Sequence, residues 1–192
     1  MVQPVGVLAL QGDFAEHGAV LQQLGCQVQL VRTVAEAKTI AGIIIPGGES
    51  TAIGKLLKST GLNRWIQQAA RRGLPVYGTC AGAIVIAKQV DSPYTLRLID
   101  ITVKRNAYGR QLDSFTAPLQ STLFPNLAGV FIRAPKITRL GPKVKTLAWY
   151  KQQPVLVETD RILAGCFHPE LTKQFLVHRY FIEHTRRFAR QK

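Results

Sequence analysis

The feature that most constrains this chain is an alternation. Short apolar runs rich in β-branched residues, VGVLAL at 5–10, VQLV at 28–31, GIIIP at 42–46 and PVYG at 75–78, are separated by stretches whose apolar residues recur at helical spacing. Runs of this kind suit strands buried on both faces, as parallel strands are. The intervening EHGAVLQQLG and LNRWIQQAARRG end on Gly25 and Gly73, the residue type that stops helices. This is the sequence logic of βαβ units with right-handed crossovers.

The second half changes character. LIDITVKRN, GVFIRAP, TLAWY, PVLVE and RILAGCF follow one another closely with few helical stretches, before a helix expected over about 172–186. The expectation is an α/β fold: one three-layer domain over residues 1–192, with a mixed, mostly parallel central sheet flanked by helices and an antiparallel part in the second half. No internal repeat, linker or low-complexity segment divides it.

Four glycine-marked loops fall at strand ends, where open α/β sheets place their ligands. They are LQGDFAEH, PGGEST, GTCAGA and GCFHPELT. The third has the form Gly-x-Cys-x-Gly, a thiol counterpart of the Gly-x-Ser-x-Gly elbow, in which a strand turns sharply into a helix and projects its nucleophile. A helix starting near Ala81 favours a thiolate at Cys80. On this stretch alone a buried cysteine in a tight turn is an equally good account.

A thiol nucleophile needs a base and a group to orient that base. His17, His178 and His184 lie in helix-like stretches with polar neighbours and are expected on solvated faces. His168 differs, because it follows the last apolar strand and Glu170 stands two residues on. Alone, FHPE reads best as a helix entry beside a first-turn acid. With Gly-Thr-Cys-Ala-Gly in the same chain, a Cys80, His168, Glu170 set becomes the better reading, Glu170 fixing the imidazole tautomer. In PGGEST, two glycines leave backbone N–H groups unhindered, and one of these with the Ala81 N–H suits a tetrahedral oxyanion. There is neither a Gly-x-x-x-x-Gly-Lys-Ser/Thr nor a Gly-x-Gly-x-x-Gly, which argues against nucleotide binding.

Composition narrows the classes further. Twenty-five Lys and Arg against 11 Asp and Glu give a net charge of +14. The basic residues are spread along the chain without the aromatic and basic pattern of an RNA-recognition module, so no specific nucleic-acid partner is expected. Three cysteines, Cys26, Cys80 and Cys166, without a Cys-x-x-Cys pair, suggest reduced thiols and no metal site. No membrane span or signal peptide is apparent, and the expected location is the cytoplasm.

LALQGDFAEH, IIIPGGEST, GTCAGAIVIAK, RNAYGRQLDSF, GVFIRAP and FHPELT stand in an order and spacing that resembles the glutaminase subunits of pyridoxal 5′-phosphate synthases, triad-type glutamine amidotransferases of class I with a flavodoxin-like fold. The likeness covers nearly the whole chain. It implies Cys80 as nucleophile, His168 as general base and acid, and Glu170 as its orienting partner. Gly48 and Ala81 would form the oxyanion hole. Gly48, Glu49, Ser50, Arg105, Ile132 and Arg133 would hold L-glutamine, and Gln11, Glu16 and His17 would face a partner. The implied reaction releases glutamate and ammonia, with the ammonia passed to a (β/α)₈-barrel synthase subunit. Pyridoxal phosphate is then the partner's product, and no cofactor is implied for this chain. Another amidotransferase subunit, serving imidazole-glycerol phosphate or anthranilate synthesis, fits the elbow but not RNAYGRQ with FIRAP. A catalytically idle α/β binding module is disfavoured by the intact Cys80, His168, Glu170 set.

Overall fold

The structure, a computed structural model, describes residues 3–107 and 114–190. Part of the RNAYGRQLDSF motif, residues 108–113, lies outside them. Four central strands, β1 (Val5–Leu8), β3 (Gly42–Ile45), β4 (Val76–Thr79) and, late in the chain, β12 (Ile162–Gly165), are buried at every position. Ile43, Ile44 and Ile45 have no exposed surface, and burying each side chain is worth about 2 kcal/mol. The half-buried β2 (Val28–Val31) closes one edge of the sheet. β10 (Lys145–Tyr150) and β11 (Gln153–Thr159) lie at the other, giving the order β10-β11-β12-β4-β3-β1-β2. The pairs from β12 to β2 are parallel, and β10-β11 and β11-β12 are antiparallel. The mixed sheet with its antiparallel part in the second half is as the strand spacing predicts.

Helices α1 (Phe14–Gln23), α2 (Val34–Ala37), α3 (Ser50–Ser59), α4 (Leu62–Arg71), α5 (Ala81–Ile86) and α6 (Leu176–Ala189) connect and cover the strands. α1 and α4 both end where the sequence places a stop. Gly25 and Gly73 have positive φ, and their N–H groups bond the Gln22 and Ala70 carbonyls, while the N–H groups of Cys26 and Leu74 bond those of Leu21 and Ala69. The chain runs from β1 outward to β2, then back across β1 to β3 and β4. With right-handed crossovers this reversal puts α1 on one face and α3 and α4 on the other. α6 shares the face of α1, since His178 bonds His17 and Phe181 packs 5.6 Å from Tyr77. It begins later than the sequence suggests: Pro169–Leu171 form a 3₁₀ turn, and Gln174 is held by the Asn126 carbonyl and the Ala128 N–H before the helix starts.

Two smaller sheets complete the second half. β5 (Ala87–Val90), β6 (Ile99–Lys104) and β9 (Lys136–Leu140) form one, and β7 (Ser114–Pro118) with β8 (Ala128–Ile132) the other. Phe131 of β8 stacks on Phe115 at 4.8 Å and packs against Phe167 at 5.9 Å. That aromatic cluster, with the His168 N–H bonded to the Val130 carbonyl, fixes where β12 delivers His168. No helix among the described residues is long and apolar enough to cross a membrane.

Candidate active site

The reversal of strand order falls between β1 and β3, and the loops that follow β1, β3, β4 and β12 converge there. Cys80, between β4 and α5, has φ 47° and ψ −105°, a strained conformation for a residue with a Cβ. The flanking glycines explain how the turn closes. A Cβ on Gly78 would lie 2.6 Å from the Gly82 carbonyl group, and one on Gly82 would lie 1.9 Å from the Ile45 oxygen. The Cys80 N–H is held by the Gly165 carbonyl at 2.8 Å, so β12 braces the elbow from the side.

His168 and Glu170 leave β12 together. The His168 Nδ1 is 2.7 Å from Glu170 Oε1 and 3.3 Å from Asp13 Oδ2. With Nδ1 so occupied, Nε2 is the ring nitrogen left for Cys80, which lines the same cavity. Burial alone would lower the His168 pKa, but its bonds to Asp13, Cys80 and Glu170 outweigh that and hold it well above the ordinary 6.5. Burial raises the Glu170 carboxyl, and the His168 bond draws it part of the way back. The hydrogen bond from His168 lowers Asp13.

Asp13 escaped the sequence reading. It stands at the N-cap position of α1, where an aspartate ordinarily bonds the first-turn N–H groups, yet its side chain caps nothing and turns to His168. Asp13, His168 and Glu170 also offer three ligand atoms within 4.8 Å of one another, the outline of a cation site. Both carboxylates already converge on one imidazole N–H, which occupies the position a cation would take.

One cavity of about 400 Å³ is lined by Cys80, Ala81, His168, Gly48, Glu49, Ser50, Arg105, Ile132 and Arg133, together with Gln11 and Asp13. Glu49 caps α3 through the Thr51 and Ala52 N–H groups and lies 3.4 Å from Arg105. The Ile132 carbonyl faces Cys80 Sγ at 3.8 Å. The Gly47 carbonyl accepts the Asp13 N–H at 3.2 Å, so the Gly48 N–H lies on the opposite edge of that trans peptide. Gln11 accepts the Glu49 N–H at 2.7 Å.

The expectation for the histidines is corrected. His17 and His178 have no exposed surface, and they bond each other at 2.9 Å beneath the site. His17 therefore cannot face a partner, whereas Glu16 is exposed and Gln11 half-buried. His184 is also largely buried, beside Glu158.

The profile of the SNO glutamine amidotransferase family matches residues 7–187. A protein of Desulforudis audaxviator named pyridoxal 5′-phosphate synthase subunit PdxT is 46% identical over 183 residues, covering 93% of this chain and 97% of its own. The PdxT of Deinococcus radiodurans is 48% identical over 93% of this chain and 95% of its own. A crystal structure described as glutamine amidotransferase superposes with a TM-score of 0.91 at 44% identity, over 94% of this chain and 98% of that one. A chain of PurLQS from Thermotoga maritima shares the fold, with a TM-score of 0.70 at 14% identity over 95% of this chain and 99% of that one. The chain belongs to the SNO glutamine amidotransferase family.

Proposed function

We propose that residues 1–192 act as one glutaminase domain that hydrolyses the side-chain amide of L-glutamine through a thioester on Cys80. The observation that carries this is the meeting in one cavity of the strained Cys80 elbow with His168, whose Nδ1 is held by Glu170 from behind. Cys80 Sγ attacks the amide carbon while His168 Nε2 takes the thiol proton. The oxyanion is held by the Gly48 and Ala81 N–H groups. Collapse expels the amide nitrogen, which leaves as ammonia with the proton from His168. Water, deprotonated by His168, then cleaves the thioester and releases glutamate. Glu170 holds the imidazole tautomer throughout. The Arg105 fork suits the substrate's α-carboxylate, with Glu49, Ser50 and the Ile132-Arg133 backbone completing the enclosure.

The naming of the relatives supports a second part of the reading. The ammonia passes to a (β/α)₈-barrel pyridoxal 5′-phosphate synthase subunit in the cytoplasm, which docks near Gln11 and Glu16. The test is to assay glutamate and pyridoxal phosphate with and without that synthase. Glutamate release should rise at least about tenfold when the synthase is added, and Cys80→Ser should abolish it. Glutamate released at an equal rate by the Cys80→Ser protein would sink the chemistry. Equal rates with and without saturating synthase would sink the partner activation alone.

A further inference from the structure

Behind the cavity lies a polar group of side chains that the proposed chemistry does not use. Glu170 has two carboxylate oxygens, and only Oε1 meets His168. Oε2 is buried and makes no hydrogen bond of good geometry. Facing it at 3.3 Å is Nε2 of His17, from α1, both side chains being fully buried. The same Nε2 is 3.1 Å from Oγ1 of Thr79, the residue before Cys80. The other ring nitrogen, Nδ1, is 2.9 Å from Nε2 of His178 in α6, whose own Nδ1 has no partner.

Proton counting gives this arrangement a direction. An ionised Glu170 only accepts, so its Oε2 at 3.3 Å favours the His17 proton on Nε2, where the Thr79 hydroxyl oxygen accepts it as well. His17 Nδ1 is then an acceptor, and His178 must carry its proton on Nε2. That leaves a lone pair on the partnerless His178 Nδ1. The opposite tautomers would bury an unpaired N–H there and set a lone pair of His17 against the carboxylate. In this assignment His178 donates to His17, the His17 Nε2 proton lies between Thr79 Oγ1 at 3.1 Å and Glu170 Oε2 at 3.3 Å, and Glu170 accepts from His168 through Oε1.

We propose that His17, backed by His178, is a positioning residue that anchors the second oxygen of Glu170 and so holds the first against His168. The proposal rests on the reading of Cys80, His168 and Glu170 as one catalytic unit. A neutral donor is what the place requires, because a cation there would compete with the His168 imidazolium for the carboxylate. Burial first, and then the neighbouring His178 and His168, keep His17 well below its ordinary pKa, and burial does the same for His178. The other titratable groups around the layer are Asp13 and Cys80 at the cavity side, Cys166, and Tyr77, whose phenol burial, the Glu170 charge and Cys166 push upward.

Two near-isosteric variants separate positioning from packing. Glutamine can place an amide N–H near His17 Nε2, toward Glu170, whereas asparagine reaches only the Nδ1 position, toward His178. Histidine-selective NMR on the isolated chain reads the His168 titration, and assays in complex with the synthase read kcat and KM. His17→Asn should lower the His168 titration by about one pH unit and kcat about tenfold (~1.4 kcal/mol), with KM within about twofold. His17→Gln should restore most of both. A His168 titration unmoved in His17→Asn, or His17→Gln as impaired as His17→Asn, would overturn the proposal, as would failure of both variants to fold, which would make His17 a packing residue. Glu170→Gln is the control for the underlying reading. If it leaves the His168 titration in place, the three-residue unit itself fails; if it shifts the titration and His17→Asn does not, only the role of His17 fails.

Discussion

Gly82→Ala tests whether the elbow is built by close backbone approach. The added Cβ would stand 1.9 Å from the Ile45 oxygen, 2.8 Å from its carbon and 3.1 Å from the Pro46 oxygen. A comfortable contact is about 3.3 Å, so α5 and the end of β3 would have to part by more than an ångström. β3 cannot yield easily, because Ile45 is fully buried and paired with Gly78 on β4. We expect a cost at the upper end of overpacking, about 3 kcal/mol, and a melting temperature lower by about 6–12 °C for a chain of this size. Gly18→Ala is the matched control. Its Cβ would meet nothing closer than Val28 Cγ1 at 3.9 Å, within α1. There the change should gain up to ~1 kcal/mol of helix propensity and raise the midpoint by a few degrees. Thermal unfolding followed by circular dichroism measures both, and iodoacetamide alkylation of Cys80 should slow in Gly82→Ala alone. If Gly82→Ala melts within about 2 °C of the parent with Cys80 equally reactive, the close-approach argument is wrong.

A glutamine-like chloroketone should modify Cys80 ahead of the other two cysteines, because Cys166 is fully buried with its thiol pushed up by burial, and burial also raises Cys26. Peptide mapping by mass spectrometry reads the order, and equal labelling of all three would contradict it. Acid sensitivity should be traceable to His178. Burial lowers its folded pKa from 6.5 to about 3, so the unfolded chain binds the proton first, and the stability held above pH 6.5 is lost as pH falls toward 3. Between pH 7 and pH 5 this amounts to about 2 kcal/mol. Urea unfolding at the two values should show a pH-dependent loss smaller by about that amount in His178→Leu than in the parent, His17 and His168 contributing equally to both; identical pH dependence would refute the assignment.

Much of the site is legible in the sequence because backbone geometry restricts it to particular residue types. The glycines around Cys80 cannot be replaced without collision, and the strand-end position of His168 with Glu170 follows from an apolar run that stops at Phe167. Strand order is a different matter. β1, β3, β4 and β12 share the same fully buried pattern, and nothing within each run says which neighbours it takes. The misplaced histidines are more instructive. Polar neighbours suggested solvent, but His17, Val20, Leu21 and Leu24 fall at i, i+3, i+4 and i+7, as do His178, Phe181, Ile182 and Thr185. Periodicity placed both rings on the buried stripe, and composition misled. Asp13 was hidden for the converse reason: a capping position supplies a sufficient local explanation for an aspartate, and only tertiary structure shows that its carboxylate is directed elsewhere.

The loop after β1 joins the two halves of the proposed chemistry mechanically. Gly12 lies so close to the Gly47 carbonyl that a Cβ would be 1.7 Å from it, and the Asp13 N–H bonds that same oxygen. The orientation of the Gly47-Gly48 peptide, and with it the direction of the Gly48 N–H, therefore depends on where residues 12 and 13 sit. The Asp13 carboxylate reaches the His168 imidazole, while Gln11 fixes the Glu49 N–H on the far side of the same peptide. A displacement of this one loop would act on the Gly47-Gly48 peptide and on His168 together, the groups proposed to hold the oxyanion and to move the proton. Glu16, one turn further along α1, is exposed, whereas His17 beside it points inward to Glu170. A partner pressing on the outer side of this segment would thus reach both the Gly47-Gly48 peptide and His168 through Gly12 and Asp13.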